Sequence, residues 1–264
     1  MIEEYFKKQK EKNRKSLIIY LTGGFPTEQI TKQLLPTLVE NGTDIIELGV
    51  PFSDPIADGP SIQKASETAL KNGITLKKIL EIVENFRNKY FTPLILFGAF
   101  NPFLKYGLKN LVIDAKNSGV DGFLAPDLPP EAGEEFRSLC VENDLCLVYL
   151  IAPTTSMERK KFIAEKSTGF IYCISTKGVT GARKHISPEI KKQVSSLKKI
   201  TEKPIAVGFG VSKPEQVKYI AQFADGVVVG SAVINEISKY KNEGQILTGV
   251  SNLIFSLSSP LKKS

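Results

Sequence analysis

Eight short apolar runs, each followed by a stretch of helical character, constrain this chain more than any other feature. The runs occupy residues 17–21, 44–50, 93–97, 120–125, 145–151, 169–175, 204–208 and 225–229. Between the first two, Ile30, Leu34, Leu35, Leu38 and Val39 recur at helical spacing and stop at Asn41-Gly42. Runs so short and so continuously apolar read as strands covered on both faces, the condition of a parallel sheet flanked by helices. Eight such units in 264 residues fit one closed (β/α)8 barrel, the TIM-barrel class of α/β fold, which takes roughly 250 residues. A doubly wound open sheet is the alternative, and count and length favour the barrel. No Ser/Gly- or Pro-rich linker divides the chain, so residues 1–264 are read as a single barrel domain. A lysine-rich helix carrying Ile2, Tyr5 and Phe6 is added ahead of the first strand.

The remaining helices are expected over 61–71, from Leu76 to Phe86, after Asn101-Pro102 through Ala115, from Glu131, after Ser187-Pro188 and after Gly230-Ser231. Thr155 with Glu158 and Ser212 with Glu215 have the spacing of capping boxes.

Within the second run, Glu47 stands among Ile45, Ile46, Leu48 and Val50. A carboxylate there costs several kcal/mol unless it is paired, hydrated or protonated. The run breaks at Gly49 and Pro51 into a loop that holds Asp54-Pro55, Asp58 and Gly59-Pro60. In a barrel, the C-terminal strand ends and the loops after them share one face. Glu47 and Asp58 then converge over one cavity, with Asp127 and Tyr172 on the same face, and two acids of different pKa suit general acid–base chemistry. The plainer alternative has Glu47 satisfying a backbone donor and Asp58 capping the helix that starts near Ser61.

Gly208-Phe209-Gly210 and Gly230-Ser231, ending the seventh and eighth runs, form a second constellation. Glycines let the backbone approach a phosphate closely, and amides opening a helix after Gly230 bind a dianion. Tight turns are the alternative there. The loop Gly178-Val179-Thr180-Gly181 adds donors or acts as a lid. Lys213 holds the place of the third glycine of a dinucleotide fingerprint, which argues against NAD.

The net charge of +7 comes mostly from lysines on helix faces. Arg14, Arg87, Arg137, Arg159 and Arg183 are dispersed and do not interleave with aromatics, so nucleic acid is not expected as a partner. Anionic substrates are mildly favoured. Cys140, Cys146 and Cys173 lack metal spacing and read as buried, reduced thiols of a cytoplasmic protein. The single histidine, His185, leaves no Ser-His-Asp triad on the usual pattern and no histidine metal cluster, so no metal is expected. No apolar signal segment opens the chain and no run approaches eighteen apolar residues, so no membrane association is expected.

The segment ELGVPFSDPIADGPSIQ is followed by Phe100-Asn101-Pro102, Pro126-Asp127-Leu128-Pro129, Tyr172, Gly178-Val179-Thr180-Gly181, Gly208-Phe209-Gly210 and Gly230-Ser231. In that order, over nearly the whole chain, these motifs resemble the tryptophan synthase α subunit family. The resemblance implies a (β/α)8 lyase that cleaves indole-3-glycerol phosphate to indole and glyceraldehyde 3-phosphate in L-tryptophan biosynthesis. It implies no cofactor in this chain and, as partner, a β subunit carrying pyridoxal phosphate in a cytoplasmic α2β2 heterotetramer. Residue by residue, Glu47 matches the acid–base glutamate, Asp58 the aspartate that holds the indole N–H, and Tyr172 a tyrosine near that pair. Thr180 and Gly181 match the closing loop. Gly181, Gly210 and Ser231 match phosphate contacts, with Gly208 and Gly230 beside them. Tyr20, Phe97, Leu124 and Phe209 match walls of the indole pocket, while Pro51 and Asp54 lie where the family meets its β partner. One stretch departs from the pattern: Gly98-Ala99-Phe100 stands where the family often has a bulky residue and a tyrosine, leaving Phe100 to fill that space. A poorly catalytic activator of the β subunit and a free-standing indole-releasing lyase are the alternatives.

Overall fold

The computed structural model describes residues 2–55, 58–174, 189–208 and 210–261. Its strands are Ser16–Thr22 (β1), Ile45–Gly49 (β2), Leu94–Phe97 (β3), Gly122–Leu124 (β4), Cys146–Ile151 (β5), Ile171–Ile174 (β6), Ile205–Gly208 (β7) and Gly226–Val229 (β8). Each pairs in parallel with the next, and β8 returns to β1, so the eight-stranded closed barrel expected from the apolar runs is the fold. Side chains alternate between the barrel interior and the helix layer, and both faces are covered. Every strand residue is buried except Leu150 and Ile174, which are partly covered. That is why the runs show no polar–apolar alternation. The three cysteines are buried and free.

The added helix Ile2–Glu11 closes the N-terminal end of the barrel. Phe6 lies 5.7 Å from Phe170, ring centre to ring centre, and Glu3 accepts the Gly169 N–H at 2.9 Å. Above this plug one arrangement recurs at alternate strands. Asp44, ahead of β2, donates its N–H to the Leu17 carbonyl at 2.8 Å and accepts the Leu17 N–H on its carboxylate at 2.8 Å. Asp121, ahead of β4, brackets Leu94 the same way at 2.8 and 2.8 Å. Asp225, ahead of β8, brackets Ile205 at 2.8 and 3.1 Å. Ahead of β6, Thr168 brackets Leu147 at 3.0 Å through its N–H and 2.7 Å through its hydroxyl. Each bracket satisfies an amide at the foot of an odd-numbered strand, where a buried unpaired donor would be costly.

Several helices differ from the sequence reading. The stretch after Asn101-Pro102 is two helices, Phe100–Tyr106 and Leu108–Asn117, because Gly107 between them takes φ +92°, which L side chains rarely adopt. The helix expected from Glu131 begins later, as Glu134–Glu142, since the Pro129 and Pro130 carbonyls hold Ala132 and Gly133 in turns. Both expected caps are displaced by one residue. Ser156, not Thr155, accepts the Arg159 N–H and caps Met157–Lys166, while Thr155 accepts from Ala152. Lys213 is the N-cap of Pro214–Ala221, and Gln216, not Glu215, accepts its N–H at 3.0 Å. After Ser231–Ser238 comes a further helix, Glu243–Ser258, which rests on Glu28–Glu40 through Ser251 and Ser258 bonding to Asn41.

Candidate active site

Strand register assembles the site at the C-terminal end. Glu47 lies level with Tyr20 on β1 and Ile95 on β3. It is 1 % exposed, and its Oε1 has no hydrogen-bond partner among the described residues. Burial pushes its pKa up to about 8. Asp58, in the loop after β2, is pushed up to about 6, also by burial. It does not cap the following helix: Gly59 is the N-cap of Pro60–Lys71, which has no side-chain cap. Neither a side-chain cap by Asp58 nor a backbone donor on Glu47 Oε1 is present among the described residues.

Both carboxylates line one cavity together with Tyr20, Phe97, Tyr172, Gly210, Gly230 and Ser231. The two tyrosines are held alike. A Cβ on Gly49 would stand 2.3 Å from the Tyr20 hydroxyl, and one on Gly208 would stand 2.1 Å from the Tyr172 hydroxyl. Each ring leans from its own strand over a glycine on the next, just beyond its register partner Glu47 or Ala206. Burial first, and then the charge of Glu47, keeps the Tyr172 phenol un-ionised. Burial does the same for Tyr20, helped by Asp58 and Glu47, while Thr22 donates to its hydroxyl at 3.2 Å. Tyr20 meets Phe97 edge-on at 5.3 Å.

At the other side of the cavity, Ser231 opens the helix Ser231–Ser238, whose N-cap Gly230 provides no side-chain bond. Gly230 and Ser231 line the cavity, so the N-terminal end of this helix adjoins it, and the leading amides of a helix suit a phosphate.

Leu124 is buried beside Phe97, and Gly208 meets Tyr172; neither lines the cavity. Thr180, Gly181 and Phe209 lie outside the described residues. Pro51 is buried and Asp54 exposed on the loop, where Ser53 donates to Asp54 at 2.7 Å. Ile62 and Val228 also line the site, and the sequence reading had no role for them. Ile62 belongs to the buried face of Pro60–Lys71, with Ala65, Ser66 and Ala69, and that spacing was its only signal. A second cavity shares Tyr20, Asp58 and Phe97 and extends past Phe52 and Pro55 to Gly98, Ala99, Pro126 and Asp127.

A sequence model of the family described as "Tryptophan synthase alpha chain" matches residues 6–257. The tryptophan synthase alpha chain of Petrotoga mobilis is 42% identical over 93% of this chain and 96% of its own length. That of Geobacter sulfurreducens is 43% identical over 89% of each. The chain belongs to the tryptophan synthase alpha chain family. It is a carbon–carbon lyase of tryptophan biosynthesis and cleaves indole-3-glycerol phosphate to indole and glyceraldehyde 3-phosphate. In this family pyridoxal phosphate belongs to the β subunit and not to the alpha chain.

The fold agrees with solved members. A chain of Mycobacterium tuberculosis tryptophan synthase superposes with a TM-score of 0.93 at 34% identity, covering 100% of this chain and 98% of that one. Tryptophan synthase subunit alpha from Legionella pneumophila str. Paris gives 0.90 at 36% identity, covering 100% and 98%. Against the family pattern, Phe100 does not fill the space beside Gly98 and Ala99. Its ring packs on Phe136 at 5.9 Å, and its N–H is held by Asp127 at 2.9 Å.

Proposed function

We propose that Glu47 and Asp58 perform the cleavage in opposite protonation states. The observation that carries this is the separation of two carboxyls on one cavity, at about 8 and about 6, by their surroundings. Near neutral pH Glu47 holds its proton and Asp58 is ionised, the division of labour that acid–base catalysis with two carboxyls needs. Glu47 gives its proton to C3 of the indole, and the Asp58 carboxylate holds the ring N–H and stabilises the cation that forms. The Glu47 carboxylate then takes the proton of the adjacent side-chain hydroxyl. As the carbon–carbon bond breaks, its electron pair returns to the ring and discharges the nitrogen, while the hydroxyl oxygen becomes the aldehyde. Glu47 ends protonated, ready for another turn.

The phosphate is assigned to the amides around Gly210, Gly230 and Ser231. With phosphate there and the indole N–H at Asp58, the glycerol chain lies across Glu47 and the aromatic ring faces Tyr20 and Phe97. Tyr172 positions Glu47 from the opposite wall. The chain works in the cytoplasm in an α2β2 complex, with Pro51 and Asp54 on the partner surface. No helix among the described residues is long and apolar enough to cross a membrane. Because Pro51, Asp54 and Asp58 share one loop, partner binding moves a catalytic group, and positioning is worth large factors in rate.

The deciding experiment is steady-state cleavage of indole-3-glycerol phosphate with and without a cognate β subunit. A rise of ~10-fold or more, about 1.4 kcal/mol of barrier, is expected on adding the partner. Full activity unchanged by the β subunit would establish a free-standing lyase, and no cleavage in either case would leave an activator only.

A further inference from the structure

The second cavity begins at Asp58 and Phe97 and ends on Gly98, Ala99, Pro126 and Asp127. With the indole N–H at Asp58, as proposed above, the benzene half of the ring points into this cavity. Two consecutive residues of its far wall, Gly98 and Ala99, bring almost no side chain. A Cβ on Gly98 would lie 3.0 Å from the Val50 Cβ and 3.3 Å from the Phe103 ring, so neighbouring packing fixes that position. Ala99 contributes one methyl group, at the N-cap of the helix Phe100–Tyr106. The next ring along, Phe100, is turned onto Phe136, and Phe97 is held in place against Tyr20.

We propose that Ala99 sets the depth of the aromatic pocket, so that this chain accepts indole-3-glycerol phosphates carrying a methyl or halogen on the benzene ring. The inference rests on the placement of the indole N–H at Asp58. A pocket discriminates by ~10–200-fold for a methylene-sized change in fit, so one longer side chain at this wall is enough to read.

The test measures kcat/KM for unsubstituted and ring-methylated indole-3-glycerol phosphate in the parent chain, Ala99→Val and Ala99→Leu, each with β subunit present. The expected ratio of methylated to unsubstituted substrate is within ~10-fold of one for the parent and falls by ~10-fold or more in Ala99→Leu, with Ala99→Val between. A parent that rejects the methylated compound by more than that, or variants that lower both substrates in step, would overturn the proposal. If Ala99→Leu fails to fold, the same ratio in Ala99→Val decides. Loss of cleavage in Asp58→Asn is a separate matter: if that variant retains full activity, the placement of the ring fails rather than the depth of the pocket.

Discussion

The two ends of the barrel treat their acids in opposite ways. At the N-terminal end, Asp44, Asp121 and Asp225 each receive a strand amide, and each receives more. Tyr5 donates to Asp44 at 2.8 Å, Arg87 to Asp121 at 2.8 Å, and Lys15 and Lys198 to Asp225 at 3.4 and 3.3 Å. At the C-terminal end, Glu47 is more deeply buried than any of these, and one of its oxygens has nothing to accept from among the described residues. Asp121 shows the balance within one residue: burial raises its pKa, while the Leu94 amide and Arg87 pull it back. For Glu47 and Asp58 burial is the cause, and no counterweight stands among the described residues. Acids of the first kind hold the fold together. Those of the second kind cost stability, and their raised pKa values are what the proposed acid–base cleavage would use.

The largest effect is expected at the unpartnered acid. Glu47→Gln keeps the shape and removes the transferable proton, so turnover should fall by ~10²–10⁴-fold with substrate binding nearly intact. Turnover within tenfold of the parent would sink the assignment. The same variant should be more stable in mild alkali. Between the ordinary glutamate range and about 8, the folded state keeps the Glu47 proton that the unfolded chain has lost. Stability therefore falls as pH rises through that window and levels off above it. A tenfold difference in proton affinity between folded and unfolded chain is worth ~1.4 kcal/mol, so Glu47→Gln should recover on the order of 4 kcal/mol at about pH 9 and nothing near pH 4. Denaturant titrations at the two pH values measure it.

The partnered end should respond in the reverse sense. Asp121→Ala strands the Leu94 amide and removes the counter-charge of a mostly buried Arg87. A loss of about 3–5 kcal/mol is expected, on the order of 10 °C in Tm. Catalysis by the protein that remains folded should be unaltered, because Asp121 lies at the opposite end from the cavity. A fall in kcat at 25 °C without a fall in Tm would erase the distinction between the two ends.

Asp58→Asn comes next. A neutral amide can hold an N–H but cannot stabilise a developing positive charge, and losses of ~10²–10³-fold in kcat are expected. In the parent, kcat/KM should rise through about 6 as Asp58 ionises and fall through about 8 as Glu47 does. The variant should lose the acidic limb and keep the alkaline one. Survival of both limbs would assign the lower one to another group.

The contrast was legible in the sequence only on its catalytic side. The eight apolar runs gave the strands, because burial on both faces leaves an unbroken signature. Glu47 was visible as a lone carboxylate inside one of them, and Asp58 as an acid in the loop that follows. The brackets were not visible: Asp44, Asp121, Thr168 and Asp225 share no local motif, and their common role depends on which strand foot lies beside each. The seating of Tyr20 over Gly49 likewise depends on register, as does that of Tyr172 over Gly208. Phe100 was expected to fill the pocket wall, yet Phe136, far along the chain, takes its ring. The helix Glu243–Ser258 could have been anticipated, since Ile246, Val250, Ile254 and Leu257 mark one buried face.

The smallest effect tests whether the four brackets are one device. Thr168 is the neutral member: it offers a hydroxyl where the others offer a carboxylate, and its Oγ1 accepts the Leu147 N–H at 2.7 Å. Its hydroxyl also donates to the Leu147 carbonyl at a long 3.5 Å, so its side chain contributes only hydrogen bonds between uncharged groups. Thr168→Val keeps the branched shape, removes the acceptor and leaves the Thr168 N–H on the Leu147 carbonyl. The Leu147 amide lies at the foot of β5 and would lose its side-chain partner, at a cost of about 1–2 kcal/mol. In a chain of this size that is on the order of 2–8 °C in Tm, well short of the loss expected for Asp121→Ala. Hydrogen exchange locates the effect: the Leu147 amide should exchange faster than in the parent, while amides around Leu17, Leu94 and Ile205 change only with global stability. A loss as large as that of Asp121→Ala would mean that the bracket itself, rather than the ionic partners added to it, supplies most of the stability at the acidic members.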